Sequence, residues 1–187
     1  IGNTTPKFSG GFGLNATYKG FDMSMFFNFM YDFDVLNANK IMLTTWADNK
    51  ENNFLMDIAS DKRWRNFDDM GNEIRYSPEV LAEFNKNATM WNPTSIGRPI
   101  CMSYAVEDGS FLRLNSATLG YTLPSVWTKK VGLSKVRFYV SGNNLFTLTG
   151  YSGYDPEVNI ATGLTPNIDY NRYPRSRTYT FGAQLTF

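Results

Sequence analysis

The sequence predicts an all-β fold, an antiparallel transmembrane β-barrel segment of about five strands with long extracellular loops. Several stretches alternate between apolar and small or polar residues, the period-two pattern of a strand with one apolar face. Aromatic residues are abundant, with 15 Phe, 11 Tyr and 4 Trp, as expected where strands meet a membrane interface. No run has the roughly 20 apolar residues that a membrane-spanning helix needs. Even the richest stretch, residues 21–35, contains Asp22, Asp32 and Asp34.

Composition excludes several classes of function. The formal net charge is +1, which gives no electrostatic basis for a nucleic-acid partner. The chain has no histidine, so a His-based catalytic triad or a His-ligated metal site cannot form within it. Its single cysteine, Cys101, cannot form an internal disulfide and is expected to be a packed thiol rather than a nucleophile. We therefore predict no enzymatic activity, no catalytic residue, no metal and no cofactor.

The first predicted element is a hairpin. From Phe8 to Tyr18 the even positions are apolar or Gly and the odd positions are small or polar, over about the length of a tilted barrel strand. Lys19 and Gly20 follow as a tight turn. A second strand runs from Phe21 to Phe33 with its odd positions aromatic or Met, while Phe26 and Met30 interrupt the polar side.

The alternation then disappears between about residues 36 and 106, where polar residues dominate. One short helix is predicted there, because Ser77 can cap it, Pro78 suits the first helical position and Glu79 favours its positive end. Its apolar side should be formed by Val80, Leu81 and Phe84. A connection of this length is uncommon unless it is functional, and in outer-membrane barrels the long loops face the outside.

A third strand is predicted from Phe111 to Leu123, ended by Pro124. Leu112 and Leu114 have the opposite parity to the apolar residues that follow them. A β-bulge near residues 115–116 would place both halves on one face. A modest connection over residues 126–134, with one helical turn at most, leads to the next strand.

The fourth strand alternates from Val136 to Asn143-Asn144, and a second irregular segment covers roughly residues 146–174. The last strand, residues 179–187, again alternates. With short connections in the periplasm, the fifth strand descends and the chain ends there. Five strands cannot close a barrel, since single-chain bacterial barrels have an even number from about eight upward. We therefore expect residues 1–187 to be the C-terminal part of a larger barrel. The chain opens at Ile1-Gly2-Asn3 without the basic segment and apolar core of a signal peptide, which indicates a mature chain or a piece of something longer.

Five separate motifs of the chain are specific beyond the strand pattern. They are Tyr18-Lys19-Gly20-Phe21-Asp22, residues 106–124 (VEDGSFLRLNSATLGYTLP), residues 137–146 (RFYVSGNNLF), residues 151–157 (YSGYDPE) and residues 173–179 (YPRSRTY). These motifs resemble the SusC/RagA family of TonB-dependent outer-membrane transporters. They occur in the family's order and cover nearly the whole chain, least well over residues 36–88.

The resemblance implies a plugged barrel of roughly 22 strands in the bacterial outer membrane, crossing it many times. Such proteins import oligosaccharides or peptides. Import is driven through the TonB complex, and a SusD-like surface lipoprotein acts as a lid. The plug domain and the TonB-contacting segment would precede Ile1 and are not in this chain. The expected partners are therefore the lipoprotein, TonB, outer-membrane lipid and the cargo.

Aromatic loop residues are the candidate substrate contacts, because flat rings with polar edges can stack on sugars. The candidates are Trp46, Trp64 and Trp91 in the first loop, and Tyr151 and Tyr154 beside Asp155 in the second. The alternative for each is packing of the loop itself.

The terminal strand carries a candidate assembly signal, read by the barrel-insertion machinery, formed by Tyr179, Phe181, Leu185 and Phe187. The alternative is that Phe187 merely faces lipid.

Two acidic motifs favour structural roles. Residues 68–73 lack the spacing of an EF-hand calcium loop and are interpreted as a solvated turn. Asp32 and Asp34 fit a polar barrel lining better than paired catalytic carboxylates. An outer-membrane enzyme barrel and a soluble β-rich carbohydrate-binding domain remain as alternative functions.

Overall fold

The computed structural model describes residues 1–45, 53–59, 61–95, 98, 100–158 and 166–187. The chain divides into two compact units. The first, called the sheet unit, comprises Ile1–Val35 and Glu107–Phe187, and the second, called the loop unit, comprises Leu36–Val106. The long predicted connection is therefore a folded unit of its own.

The sheet unit is built on five long antiparallel strands. In chain order, the strands among the described residues are β1 (Phe8–Tyr18), β2 (Phe21–Tyr31), β3 (Asp34–Asn37), β4 (Val106–Asp108), β5 (Phe111–Thr122), β6 (Lys135–Thr149), β7 (Ile168–Asp169) and β8 (Thr178–Thr186). The large sheet has the order β1-β2-β5-β6-β8, and a small sheet has the order β4-β3-β7. All five predicted strands are present, and the all-β antiparallel fold class is confirmed.

The β1–β2 hairpin closes through the predicted two-residue turn. Lys19 has a φ of 44° and Gly20 a φ of 89°, the pair of positive values that the right-handed twist of a hairpin favours. A Cβ on Gly20 would lie 2.8 Å from the carbonyl oxygen of Thr122. Glycine at this position therefore lets the turn approach the end of β5.

The predicted bulge in β5 is confirmed by the strand register. Phe26 pairs with Ser116 and Phe27 with Leu114, so Asn115 is the extra residue. The bulge brings Leu112 and Leu114 onto the face of Leu119. The pairing of β5 with β6 also shifts register between Leu114 and Ser116, and Asn144 in β6 takes a positive φ of 52°. β6 then continues to Thr149, beyond its predicted end, because the bulge absorbs the change of parity.

The end of β2 departs from the sequence prediction. Asp32 has a φ of 59°, which ends the strand and turns Phe33 away from the apolar face to which its parity assigned it. Phe33 is instead buried and packs edge-on against Phe111, with ring centroids 6.4 Å apart. A small core forms around it from Phe33, Val35, Phe111, Tyr151 and Val158.

The helices are short. They are α1 (Ala38–Met42), α2 (Pro78–Asn85) and α3 (Ser125–Thr128). A 3₁₀ turn, Lys129–Val131, follows α3 and ends at Gly132 with a φ of 75°, so the predicted helical turn between the third and fourth strands is present. Further 3₁₀ turns are Met56–Ile58, Pro93–Ser95 and Ser103–Ala105. None of the helices in the described part of the chain has the length and apolar character to cross a membrane.

The predicted helix of the loop unit is α2, with two corrections. Ser77 has an extended backbone at the N-cap but makes no side-chain cap hydrogen bond. Val80 is exposed, and the inward side is formed by Leu81, Phe84 and the buried Asn85. The Asn85 side chain accepts from the Arg65 backbone N–H at 2.6 Å and donates to the Arg65 carbonyl at 2.9 Å. The inward side is therefore partly polar, and its Asn85 joins the helix to the Arg65 segment.

Cys101 is exposed in an irregular segment of the loop unit. The expectation of a packed thiol is therefore wrong. The neighbouring Ile100 is exposed as well, so this segment packs little of its side-chain surface.

Candidate membrane face and ligand clefts

One face of the large sheet is apolar across all five strands. Register partners share a face, and each of three consecutive rows takes one residue from every strand. The rows are Tyr18-Phe21-Tyr121-Phe138-Ala183, Ala16-Met23-Leu119-Val140-Phe181 and Leu14-Met25-Ala117-Gly142-Tyr179. Many of these side chains are exposed, up to 80% for Phe181. A continuous apolar surface of this kind marks a contact with lipid or with another protein.

The opposite face carries mainly small and polar residues, interrupted by Phe26 and by the ring of Tyr139. Gly120 lies between Asp22 and Arg137, and a Cβ there would lie 2.4 Å from an Arg137 guanidinium nitrogen. Arg137 donates from Nε to Asp22 Oδ1 at 2.9 Å and from Nη2 to Asp22 Oδ2. Such a two-pronged pair has defined geometry. Gly182 leaves comparable room for the ring of Tyr139. The two faces therefore differ in chemistry, as a wall between lipid and a polar interior requires.

A buried charge cluster lies in the sheet unit near the start of β5. Arg113 is 2% exposed and donates to both carboxylate oxygens of Asp155, at 3.2 and 2.5 Å. Glu157 approaches Arg113 at 3.6 Å and accepts from Arg175 at 2.7 Å. Burial acts to raise the pKa of Asp155, but the hydrogen bonds from Arg113 and the Glu157 backbone outweigh it, so that pKa lies below its usual value. The pair is charged and fixes the second loop to the sheet.

The candidate substrate residues in the second loop have different environments. Tyr151 is buried, and its hydroxyl donates to Asp169 at 2.7 Å. Burial, supported by that carboxylate, raises the pKa of Tyr151. Tyr154 is 82% exposed, and Asp155 is engaged by Arg113. Tyr154 is thus the member of this group whose ring is open to a ligand.

The candidate tryptophans lie in the loop unit. Trp46 falls outside the described residues. Trp64 is exposed and donates from its indole nitrogen to Asn66 Oδ1 at 3.3 Å. Trp91 is half-buried, donates to the Thr44 carbonyl at 3.3 Å and packs edge-on against Tyr104. Trp91 therefore packs the loop unit, whereas the Trp64 ring remains available.

The residues of the candidate assembly signal are all exposed. Tyr179, Phe181 and Leu185 lie on the apolar face through their register with Gly142, Val140 and Val136. Phe187 follows the end of β8 and is 88% exposed.

Two clefts in the loop unit involve residues that the sequence did not single out. The larger has a volume of about 650 Å³ and is lined by Asp57, Asp61, Lys62, Asn87, Thr89, Met90 and Tyr104. The smaller, here called the amide cleft, has a volume of about 330 Å³ and is lined by Arg63, Arg65, Asn66, Phe67, Asp68, Asn92 and Thr94. Its members come from two segments about 25 positions apart, so no local motif could indicate it.

The acidic turn at residues 68–73 is organised by its own hydrogen bonds. Asp68 accepts from the backbone N–H groups of Met70 and Asn72 at 2.9 and 2.8 Å and from the Asn72 side chain at 2.9 Å. The Asn72 side chain and backbone hold the pKa of Asp68 below its usual value. Within the described ranges, no group of three Asp, Glu, Cys or His residues is placed to hold a metal ion.

No family model matches the chain, but curated proteins do. Over its whole length the chain is 35% identical to TonB-dependent receptor P3 and 26% identical to TonB-dependent receptor P39, both of Formosa agariphila. Over 45% of its length it is 38% identical to TonB-dependent receptor SusC of Bacteroides thetaiotaomicron. The chain spans 17% of the length of each Formosa receptor, and the shorter match to SusC covers 8% of SusC.

Solved structures with a similar fold include chains of the RagAB peptide importer. For the open-open state the TM-score is 0.73 at 26% identity, and the match covers 98% of this chain and 17% of that chain. For the closed-closed state the TM-score is 0.75 at 25% identity, with 98% and 18% covered. The fold described above is thus shared with a segment of much longer chains.

Proposed function

Because this chain belongs to the SusC/RagA family of TonB-dependent receptors, we propose that its large sheet forms part of the wall of an outer-membrane transport barrel. The observation that carries the proposal is the set of three apolar rows crossing five strands opposite a small, polar face. In a barrel wall the apolar face meets lipid and the polar face meets the interior.

We further propose that the complete protein imports oligosaccharides or peptides, driven through TonB, together with a SusD-like surface lipoprotein. The relatives support this, since they are named TonB-dependent receptors and a peptide importer. Those names describe receptors and importers rather than enzymes, which favours transport over an outer-membrane enzyme barrel. The exposed apolar rows weigh against a soluble carbohydrate-binding domain, because soluble monomers rarely expose apolar patches beyond a few hundred Å².

We also propose an orientation for the sheet and a position for this chain in the full receptor. Residues 1–187 are the C-terminal part of the barrel. The loop unit and the segment between β6 and β8 face the outside, and the turn at Lys19-Gly20 faces the periplasm. This agrees with the rule that long connections lie outside and short ones in the periplasm.

The test is uptake by cells that carry the full-length receptor. Leu119→Arg places a charge on the apolar face, whereas Thr118→Arg places the same charge on the polar face of the same strand. A lipid-facing Arg costs about 2–4 kcal/mol at the membrane midplane, so we expect Leu119→Arg to reduce the heat-modifiable, assembled receptor and uptake together. Thr118→Arg should keep most of the assembled receptor. Equal effects of both changes, or uptake that persists without TonB, would contradict the proposal.

A further inference from the structure

The amide cleft of the loop unit presents mainly hydrogen-bond donors. The indole N–H of Trp64 can only donate, so the contact at 3.3 Å fixes the oxygen of Asn66 on that side. In the same way, the backbone N–H and hydroxyl of Thr94 occupy Asn92 Oδ1, at 3.0 and 2.7 Å. Within the described part of the chain, both Asn NH₂ groups are left without a partner.

Arg63 adds the positive charge of this cleft. Arg63 lines the cleft, and its side chain has no carboxylate partner among the residues that the structure describes. The second arginine, Arg65, is already paired with Asp69 at 2.6 Å and lies over the ring of Phe84. The guanidinium of Arg63 is therefore free to form a planar, two-pronged contact with an anionic ligand.

Asp68 is the acidic residue among those that line this cleft. The carboxylate of Asp68 accepts three N–H hydrogen bonds from its own turn. These bonds stabilise the charge and hold it within the turn. The negative charge of Asp68 weakens the attraction of the cleft for an anion but leaves its hydrogen-bond donors in place. Removing that charge by mutation should therefore strengthen anion binding.

The cleft also has an apolar surface. Phe67 lines it and is 48% exposed. An exposed aromatic ring beside amide donors is the combination with which sugar rings are held, since the ring covers the apolar face of the sugar. The hydroxyl of Thr94 gives its hydrogen to Asn92 and keeps an oxygen that can accept from a sugar hydroxyl.

We propose that the amide cleft binds the anionic group of an acidic oligosaccharide, with Arg63 paired to the carboxylate and Phe67 beneath a sugar ring. The inference rests on the transport function proposed above and adds a substrate class to it. An open cleft of about 330 Å³ suits one or two sugar units, the lower end of the size range of ligand sites. Asn66 and Asn92 would donate to the same carboxylate or to ring oxygens.

The experiment measures binding of a galacturonate oligosaccharide to the full-length receptor in detergent by calorimetry. Its carboxyl-reduced neutral counterpart and an acidic peptide serve as comparison ligands. Arg63→Gln removes the charge, and Arg75→Gln is the matched control, since Arg75 is an exposed arginine of the same unit that lies outside the cleft. We expect at least a tenfold weaker affinity for Arg63→Gln and an unchanged affinity for Arg75→Gln.

Two variants of unchanged side-chain shape test the donor pattern. Asn66→Asp keeps an oxygen for Trp64 but replaces the free NH₂ with a second oxygen, so the galacturonate affinity should fall at least tenfold. Asp68→Asn keeps Oδ1 as the acceptor for the two backbone N–H groups of its turn, gives up the bond from the Asn72 side chain and removes the negative charge, so the affinity should rise several-fold. Both effects should shrink at high salt, because charge interactions are screened.

The inference would be overturned by galacturonate binding that is unchanged in Arg63→Gln, by equal affinity for the carboxyl-reduced sugar, or by binding of the acidic peptide alone. Any of these results combined with normal TonB-dependent uptake of another cargo would leave the transport function intact. Absence of TonB-dependent uptake of every cargo would contradict the transport function itself, whatever the cleft binds.

Discussion

Arg113 is the residue on which the second loop depends. Its position between Leu112 and Leu114 in β5 gives no indication of burial, since an arginine in an alternating strand ordinarily faces a polar side. It is buried because the chain that follows β6 brings Asp155 to β5. There the Asp155 carboxylate accepts two hydrogen bonds from the Arg113 guanidinium and neutralises its charge. A buried arginine with such partners is stable, but either partner left alone is costly.

Replacing Asp155 with Asn should therefore loosen the second loop. Removing one partner of a buried pair costs about 3–5 kcal/mol, and Glu157, at 3.6 Å from Arg113, should recover part of it. Hydrogen exchange of residues 151–158 would measure the change. Asp69→Asn is the control, because Asp69 pairs with an arginine at the surface, where a pair contributes about 0–1 kcal/mol. If Asp155→Asn and Asp69→Asn changed hydrogen exchange by equal, small amounts, the buried pair would have no structural role.

The same pair has a defined pH dependence. The pKa of Asp155 is lower in the folded state than its ordinary value of 3.8, so the pair stabilises the loop fully above that value. The stabilisation is lost as the pH falls through the lower, folded-state pKa. Exchange in residues 151–158 should thus rise only below about pH 4, and Asp155→Asn should abolish that rise.

Among the elements, β8 has the most direct role in the proposed barrel. Its face of Tyr179, Phe181 and Leu185 extends the apolar rows of the sheet, and Phe187 stands exposed just beyond it. We propose, as the sequence predicts, that these residues form an assembly signal.

Substitutions of Phe187 in the full-length receptor distinguish the signal from a simple lipid contact. We expect removal of Phe187 to lower the amount of heat-modifiable receptor several-fold, and Phe187→Tyr to keep it near the unchanged level. Phe187→Leu is the decisive variant, because leucine is as apolar as lipid contact requires but lacks an aromatic ring. Normal assembly of Phe187→Leu would reduce the role of Phe187 to a lipid contact.

Strands could be predicted and their exact ends could not. The period-two pattern is local, so the five long strands and the bulge at Asn115 follow from the residues themselves. Asn144 and Asp32, by contrast, adopt positive φ angles that the strand pattern does not encode, and they decide where β6 continues and where Phe33 turns inward. The amide cleft was missed because Arg63 and Asn92 meet only through the fold of the loop unit.

At the scale of the whole molecule, the connections divide into two kinds. Short ones, at Lys19-Gly20 and over residues 123–134, join the strands at one end of the sheet, and long ones join them at the other. The candidate ligand residue Tyr154 and the amide cleft both belong to the long connections. Orientation in the membrane therefore decides whether they can meet cargo from the outside.

The exposed Cys101 allows this orientation to be tested in intact cells. In a full-length receptor in which Cys101 is the only cysteine, a membrane-impermeant maleimide should label it without permeabilisation, because the loop unit is proposed to lie outside. In a Cys101→Ser background, Lys130→Cys places an exposed thiol at the end with short connections, where labelling should require permeabilisation of the outer membrane. The opposite pattern would reverse the proposed orientation, and equal labelling of both positions in intact cells would contradict a membrane-spanning sheet.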